Sequence, residues 1–249
     1  MRKIIILLLF LFHQFISSQA LNGKVTYTVN SESQSFLKGL PNNKKISEKS
    51  KTNLKKLIRT AKPMNFHLIF EGKEAVYRAE YDFPTRLRLK LGMNLTSLLA
   101  SGNYTFYSNL NEKIVHGQNY FVNGVDILYK PIKWNLTQET KSIGGYRCFK
   151  ATAYIRQEQL PGNNLMGPVI AWFTPEISVP FGIQNFKGLP GLIMELFVNI
   201  ERGNLHYRAT KIELNTKEKF KIKKIKGKTI SEDTYIKMIQ KMNSQRRKK

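Results

Sequence analysis

Apolar and polar residues alternate over many short stretches of this chain, which is the period of a β-strand with one buried face. Residues 23–30 place Val25, Tyr27 and Val29 on one side and threonines and a lysine on the other. The same pattern predicts a hairpin of residues 66–70 and 75–81. Further strands are predicted over residues 85–91, 104–107, 113–116, 120–123, 127–130, 146–155, 169–173 and 205–214.

Few helical patterns interrupt these strands, which argues against βαβ units. The prediction is a mainly β fold: a curved antiparallel sheet, open or a half-open barrel, with one or two short helices on one face. By analogy it is similar to the half-barrels of periplasmic lipoprotein carriers. We expect residues 1–20 to be a signal peptide and residues 21–230 a single β domain. Residues 231–249 then form a C-terminal helix and a basic disordered tail.

A basic insertion over residues 31–62 interrupts the alternation. Leu54, Leu57, Ile58 and Ala61 recur there at helical spacing among lysines, and Pro63 stops the helix. We expect a solvated loop that ends in a short helix packed on the sheet. A helix lying on a membrane surface is the alternative.

The N-terminus has the order of a secretory signal: Arg2 and Lys3, nine apolar residues at 4–12, then small and polar residues. The apolar run is short for a transmembrane anchor, which is the alternative. We expect an exported protein, periplasmic, associated with the cell envelope or secreted, without a transmembrane segment in the mature chain. The lone Cys148 excludes an intramolecular disulfide and fits a buried small apolar residue better than a reactive thiol.

A glycine- and proline-rich motif precedes an apolar stretch that reads as a strand. Pro190 restricts φ and Gly191 permits positive φ, which suits a tight turn. In the strand that follows, parity places Glu195 opposite Leu192, Met194 and Leu196. The motif consists of Gly188, Leu189, Pro190, Gly191, Leu192 and Ile193.

Several other motifs accompany this hexamer, in a fixed order over roughly residues 115–215. They are Trp134-Asn-Leu, the segment 139–146, Cys148-Phe-Lys-Ala-Thr152 and Ala171-Trp-Phe-Thr174. Together they resemble the GLPGLI family of exported Bacteroidetes proteins. The chain departs from the family at Ile177-Ser-Val-Pro180 and at Gly182-Ile183. The resemblance implies export and a shared fold, and it implies no biochemical activity.

The formal net charge is +24, with the excess lysines concentrated in residues 38–62 and 221–249. An AT-rich genome would favour lysine codons and is one explanation. The other is an anionic partner, and for an exported chain we expect anionic lipid or polysaccharide of the envelope rather than nucleic acid.

Residues with catalytic or metal-binding chemistry are sparse. His67, His116 and His206 are too far apart in sequence to form a ligand pair, and no metal, cofactor or phosphate motif is present. Glu195 among apolar neighbours is a candidate general acid, but its strand parity favours an outward-facing side chain. An enzyme, such as a hydrolase, is therefore the minority hypothesis.

The aromatic residues give the leading functional hypothesis, although an all-β core needs aromatic residues in any case. A concave, aromatic-lined sheet would bind a hydrophobic or amphipathic envelope component, such as a lipid or an apolar peptide. An envelope scaffold or surface-interaction protein without a small ligand is the alternative. The candidate ligand-binding residues are Trp134, Tyr146, Trp172 and Phe173.

Overall fold

The computed structural model describes residues 22–33, 37, 47–80, 94–112, 115–119, 125–155, 167–200 and 203–246. The helices among them are α1 (Glu48–Arg59), α2 (Leu95–Leu99) and α3 (Glu232–Arg246). The strands are β1 (Asn22–Glu32), β2 (Met64–Glu71), β3 (Glu74–Ala79), β4 (Tyr104–Asn109), β5 (Val115–Asn119), β6 (Val125–Tyr129), β7 (Asn135–Ile143), β8 (Tyr146–Ala153), β9 (Val169–Thr174), β10 (Leu192–Ile200), β11 (Gly203–Leu214) and β12 (Lys228–Ser231).

The twelve strands of the described residues belong to one open sheet, in the order β12-β6-β5-β4-β3-β2-β1-β11-β10-β9-β8-β7. The predicted mainly β class is confirmed, and the sheet is not a closed barrel. It is also not wholly antiparallel, because β12 pairs with β6 in parallel. β1 lies in the middle of the order and joins two runs of antiparallel neighbours, β2–β6 and β7–β11.

One face of the sheet carries the core, and we call it the inner face. In β1, Val25, Tyr27 and Val29 are fully buried while the residues between them are partly exposed, as the alternation predicts. The aromatic side chains of β2, β3 and β4 continue this layer. Residues from α1, α2 and α3 belong to the same core. The opposite face is the outer face.

The segment of residues 177–189 packs on the inner face as part of the core. Six aliphatic and aromatic side chains of this segment are at most 4 % exposed, and the ring centroids of Phe181 and Phe70 are 6.0 Å apart. Gln184 has φ +56°, and its side-chain amide donates to the carbonyl oxygen of Ala100 and to the Tyr207 hydroxyl, both at 2.9 Å. The chain itself therefore covers this part of the inner face.

The helices begin and end where local chemistry favours it. Ser47 accepts a hydrogen bond from the backbone N–H of Ser50 at the start of α1, and Ser231 accepts one from Thr234 at the start of α3. The predicted helices near residues 54–61 and after Ser231 are thus confirmed, with α1 starting earlier. None of the described helices has the length and apolar character needed to cross a membrane.

Some predicted elements fall on residues that the structure does not describe, and some observed elements were not predicted. The strands predicted over 85–91 and 120–123 lie outside the described residues, as do the signal peptide and residues 34–36 and 38–46 of the basic insertion. The predicted hairpin is confirmed as β2 and β3. Strands β7 and β12 and helix α2 were not predicted from the sequence.

Candidate functional site

A cluster of charged and aromatic side chains lies on the outer face of strands β7–β11. Register aligns Glu195 with Trp172 of β9 and with Arg208 of β11, so these side chains share one face. A bulge between Ile193 and Glu195 interrupts the alternation of β10. We call this group the outer cluster; it consists of Lys141, Trp172, Glu195, Phe197, His206 and Arg208.

The carboxylate of Glu195 lies at the centre of the outer cluster. It points to the outer face as strand parity predicts, yet its side chain is only 3 % exposed. The prediction of an outward-facing Glu195 is therefore confirmed, but neighbouring side chains on the outer face bury it. Lys141 Nζ donates to its Oε2 at 2.5 Å, and Arg208 Nε donates to its Oε1 at 2.9 Å. Both carboxylate oxygens are therefore occupied.

These partners set the protonation of Glu195. Burial raises the pKa of this carboxyl group, but the hydrogen bond and charge of Lys141 lower it, as do the charges of His206 and Arg208. The net result is a pKa below the usual value for glutamate. Glu195 is therefore ionised at neutral pH and acts as an acceptor that holds two cations, not as a proton donor.

Three rings surround this ion pair. Lys141 Nζ lies 4.4 Å from the centroid of the Trp172 ring and 5.8 Å from that of Phe197, within the range of a cation–π contact. His206 stacks on Phe197 with centroids 4.2 Å apart and planes 10° apart. Burial lowers the pKa of His206, as do the charges of Arg208 and Lys141, while Glu195 raises it. The net result is a pKa below the usual value for histidine, so the imidazole is neutral at neutral pH.

The arrangement leaves hydrogen-bond donors at the surface. With Glu195 negative and His206 neutral, Lys141 and Arg208 give the outer cluster one excess positive charge. The side chain of Arg208 is 58 % exposed, and the ion pair uses only its Nε among the described contacts. The outer cluster is thus suited to bind an anionic group rather than to transfer protons.

The four predicted ligand-binding residues lie in different places. Trp172 belongs to the outer cluster, and its indole N–H has no partner among the described residues. Phe173 follows it on the inner face and is 4 % exposed, and its ring centroid lies 6.1 Å from that of Phe149. Trp134 Nε1 donates to the carbonyl oxygen of Lys187 at 2.9 Å, and Tyr146 lies at the start of β8. The structure does not bring the four together.

The hexamer forms the turn that leads into β10. Gly188 has φ +101° and Gly191 has φ +151°, which confirms the prediction of positive φ at Gly191. The backbone N–H of Gly191 donates to the carbonyl oxygen of Leu189, and that of Leu192 donates to the carbonyl oxygen of Ile177. The hexamer therefore joins the end of the segment packed on the inner face to the start of β10.

The histidines do not gather into a metal site. His116 is buried, with its Nδ1 2.8 Å from Asp126 and its Nε2 2.5 Å from Glu112. Within the described ranges, no group of three or more His, Cys, Asp or Glu side chains is placed to hold a metal ion. Cys148 is fully buried, as predicted, and burial raises its pKa to about 11.

Sequence reasoning identified Trp172 and Glu195 but missed the rest of the outer cluster. Phe197 follows Glu195 by two residues, and His206 and Arg208 are also two residues apart, so each pair shares a strand face. This spacing was the available signal for both pairs. No comparable signal pointed to Lys141, which comes from the unpredicted strand β7.

Comparison with known proteins gives a short match to one family and a distant similarity to known structures. The pattern of the Porph_ging family, described as a protein of unknown function, matches residues 163–195, which is consistent with the GLPGLI resemblance. No curated protein matches the chain. Two structures of PNGF-II are similar to it at 16 % identity and 89 % coverage of this chain. Their TM-scores are 0.49 in space group P21 and 0.47 in C2. The chain spans about a third of PNGF-II, 34 % and 33 % respectively.

Proposed function

We propose that this protein binds an anionic polysaccharide of the cell envelope on the outer face of its sheet. The observation that carries the proposal is the buried Glu195, which holds Lys141 and Arg208 in place beside Trp172, whose indole N–H has no partner among the described residues. Fixed cations lose little conformational entropy when an anion binds. The N-terminal export signal predicted from the sequence supports an envelope partner.

The proposal places binding on the outer face, whereas the sequence predicted a groove on the inner face. Segment 177–189 buries six apolar side chains against the inner face. At about 1.5–3 kcal/mol for each fully buried apolar side chain, displacing the segment costs on the order of 10 kcal/mol. A ligand that had to displace it would lose that much affinity, so the outer face is the better binding surface.

Polysaccharide fits the outer cluster better than a lipid chain or an apolar peptide. The most exposed large apolar residues of the described chain are Leu98, Leu110, Leu136 and Tyr154, and none belongs to the outer cluster. Beside Arg208 the surface continues as hydroxyl groups, with Thr28 3.1 Å from Thr210. Charged donors next to hydroxyls suit the carboxylates and hydroxyls of an acidic sugar.

The test measures binding of polygalacturonate, with neutral dextran as the control polymer, by isothermal titration calorimetry. Arg208→Gln removes a charged donor, and such hydrogen bonds contribute about 1.5–3 kcal/mol, so we expect affinity to fall at least about 10-fold. The matched control is Arg59→Gln, which removes the same charge from an exposed residue of α1. Equal affinities for the two variants, or equal binding of dextran, would refute the proposal.

A further inference from the structure

A second charged surface lies on the outer face at the other end of the sheet. Residues 216–228, which we call the lysine strap, run from the end of β11 to β12 across strands β2–β6. The backbone N–H of Phe220 donates to Glu71 at 3.1 Å, and Gln118 donates to the carbonyl oxygen of Lys226 at 3.1 Å. The strap is therefore fixed to the sheet near both ends.

The strap has an apolar side and a basic side. Ile225 is buried, and Phe220 and Ile222 are half-buried, which places the apolar side toward the sheet. The exposed lysines are Lys217, Lys219, Lys221, Lys223, Lys224, Lys226 and Lys228. Among the described carboxylates, only Glu112 forms an ion pair with any of them, with Lys224 at 2.9 Å. The other six lysines have no ion-pair partner among the described residues, and Glu218 is the one carboxylate within the strap.

An exposed apolar residue lies beside the strap. Leu110 is 45 % exposed, in the turn between β4 and β5 that also contains Glu112, the partner of Lys224. Its backbone N–H donates to the backbone carbonyl oxygen of Lys73 at 2.9 Å, so the turn lies next to the exposed Lys73. An exposed apolar side chain next to a lysine-rich segment is an arrangement that favours an interface between water and anionic lipid.

We propose that the lysine strap, together with Leu110, docks the protein on a bilayer surface rich in anionic lipid. Lysine ammonium groups act as point charges and do not impose the planar, two-bond geometry of arginine. A row of lysines therefore binds according to the density of negative charge and not to the geometry of one group. Such binding suits a membrane surface better than a sugar of defined shape. This proposal is independent of the polysaccharide site, because the strap and the outer cluster share no residue.

The experiment measures co-sedimentation of the protein with vesicles of phosphatidylcholine, with and without 30 % phosphatidylglycerol. The test variant combines Lys219→Gln, Lys221→Gln and Lys223→Gln. Each lysine near an anionic surface contributes about 1 kcal/mol, and 1.4 kcal/mol is tenfold in affinity, so we expect about 100-fold weaker binding. The matched control removes the same charge from exposed residues at α1 and just after it: Lys49→Gln, Lys56→Gln and Lys62→Gln.

The variant Leu110→Ser distinguishes binding to a membrane from binding to a soluble polyanion. We expect it to weaken binding to anionic vesicles by about fivefold, the order of effect of losing one to two buried methylene groups, and to leave polygalacturonate binding unchanged. Arg208→Gln is expected to bind vesicles as the unmodified protein does, so failure of one proposal leaves the other standing.

Three outcomes would overturn docking through the strap. The first is equal binding to vesicles with and without phosphatidylglycerol. The second is an equal loss for the strap and control triple variants, which would show a response to net charge alone. The third is strap-dependent binding of polygalacturonate without vesicle binding. Folding of each variant is checked by circular dichroism before binding is measured.

Discussion

Gly191 provides the sharpest test of how the hexamer supports the fold. A Cβ atom added there would lie 2.1 Å from the carbonyl oxygen of Thr174, and real Cβ atoms essentially never come closer than 3.0 Å to such an atom. One of the two backbones would have to move by about 1 Å, since neither atom belongs to a flexible side chain. The residue also has φ +151°, which strains an L-residue.

The cost can be worked out from these two contributions. Strain of an alanine at this φ is on the order of 1–3 kcal/mol, and overpacking at a tight junction adds about 1–3 kcal/mol. The lower entropy of the unfolded alanine chain offsets about 0.4–1 kcal/mol. We therefore expect Gly191→Ala to lower the free energy of unfolding by about 3 kcal/mol and Tm by roughly 10 °C.

Gly145→Ala is the matched control, measured by urea and thermal unfolding with circular dichroism detection. Gly145 has φ +86°, but no atom lies within 4 Å of an added Cβ, so this variant carries the strain without the clash. We expect it to cost about 1 kcal/mol. If both variants lose the same stability, close packing against Thr174 is not what requires glycine in the hexamer.

Three further predictions concern the outer cluster and the cysteine. Glu195→Gln removes the charge that holds Lys141 and should lower the free energy of unfolding by about 1–3 kcal/mol in urea; an unchanged value would show that the ion pair adds nothing. Because the folded-state pKa values of His206 and Glu195 both lie below their unfolded values, stability should fall as the pH is lowered. The loss begins below about pH 6.5 through His206, with a contribution from His67, whose pKa is also lowered, and continues below about pH 4.5 through Glu195. Urea unfolding between pH 7 and pH 4 checks this, and His206→Gln should flatten the upper part of the profile. The Cys148 thiol should react with Ellman's reagent only after unfolding, because it is fully buried; rapid reaction of the folded protein would contradict this.

The sequence predicted best the strands with one buried face. The alternation of Val25, Tyr27 and Val29 reflects the burial of every second side chain of the strand. This pattern is visible within a few consecutive residues, so it can be recognised from the local sequence. Strand β7 lacks this signal, because it lies at the edge of the sheet and most of its residues are exposed. Strand β12 has only four residues, and its parallel partner β6 is about 100 positions away in sequence, so no local pattern marks the pair.

The candidate site was harder to predict because it depends on cross-strand neighbours. Strand parity correctly placed Glu195 on the outer face, but its burial depends on Lys141, which reaches it from β7. That long-range contact follows from strand order, and single-sequence patterns do not give strand order. The packing of segment 177–189 on the inner face could not be predicted for the same reason. This segment has no strand or helix pattern of its own, and it becomes part of the core only through its contacts with the sheet.

The central position of β1 has a consequence for how the chain folds. Strands β2–β6 are adjacent in both sequence and space, as are β7–β11, so each run pairs through contacts between neighbours along the chain. β1 joins the two, and its pairing with β11 brings together residues such as Thr28 and Thr210, 182 positions apart. Closing so long a loop is slow, so we expect the two half-sheets to form early and the β1–β11 seam to limit the folding rate. Until β11 is available, β1 has an open edge, and the half-folded chain is most exposed to aggregation along that strand.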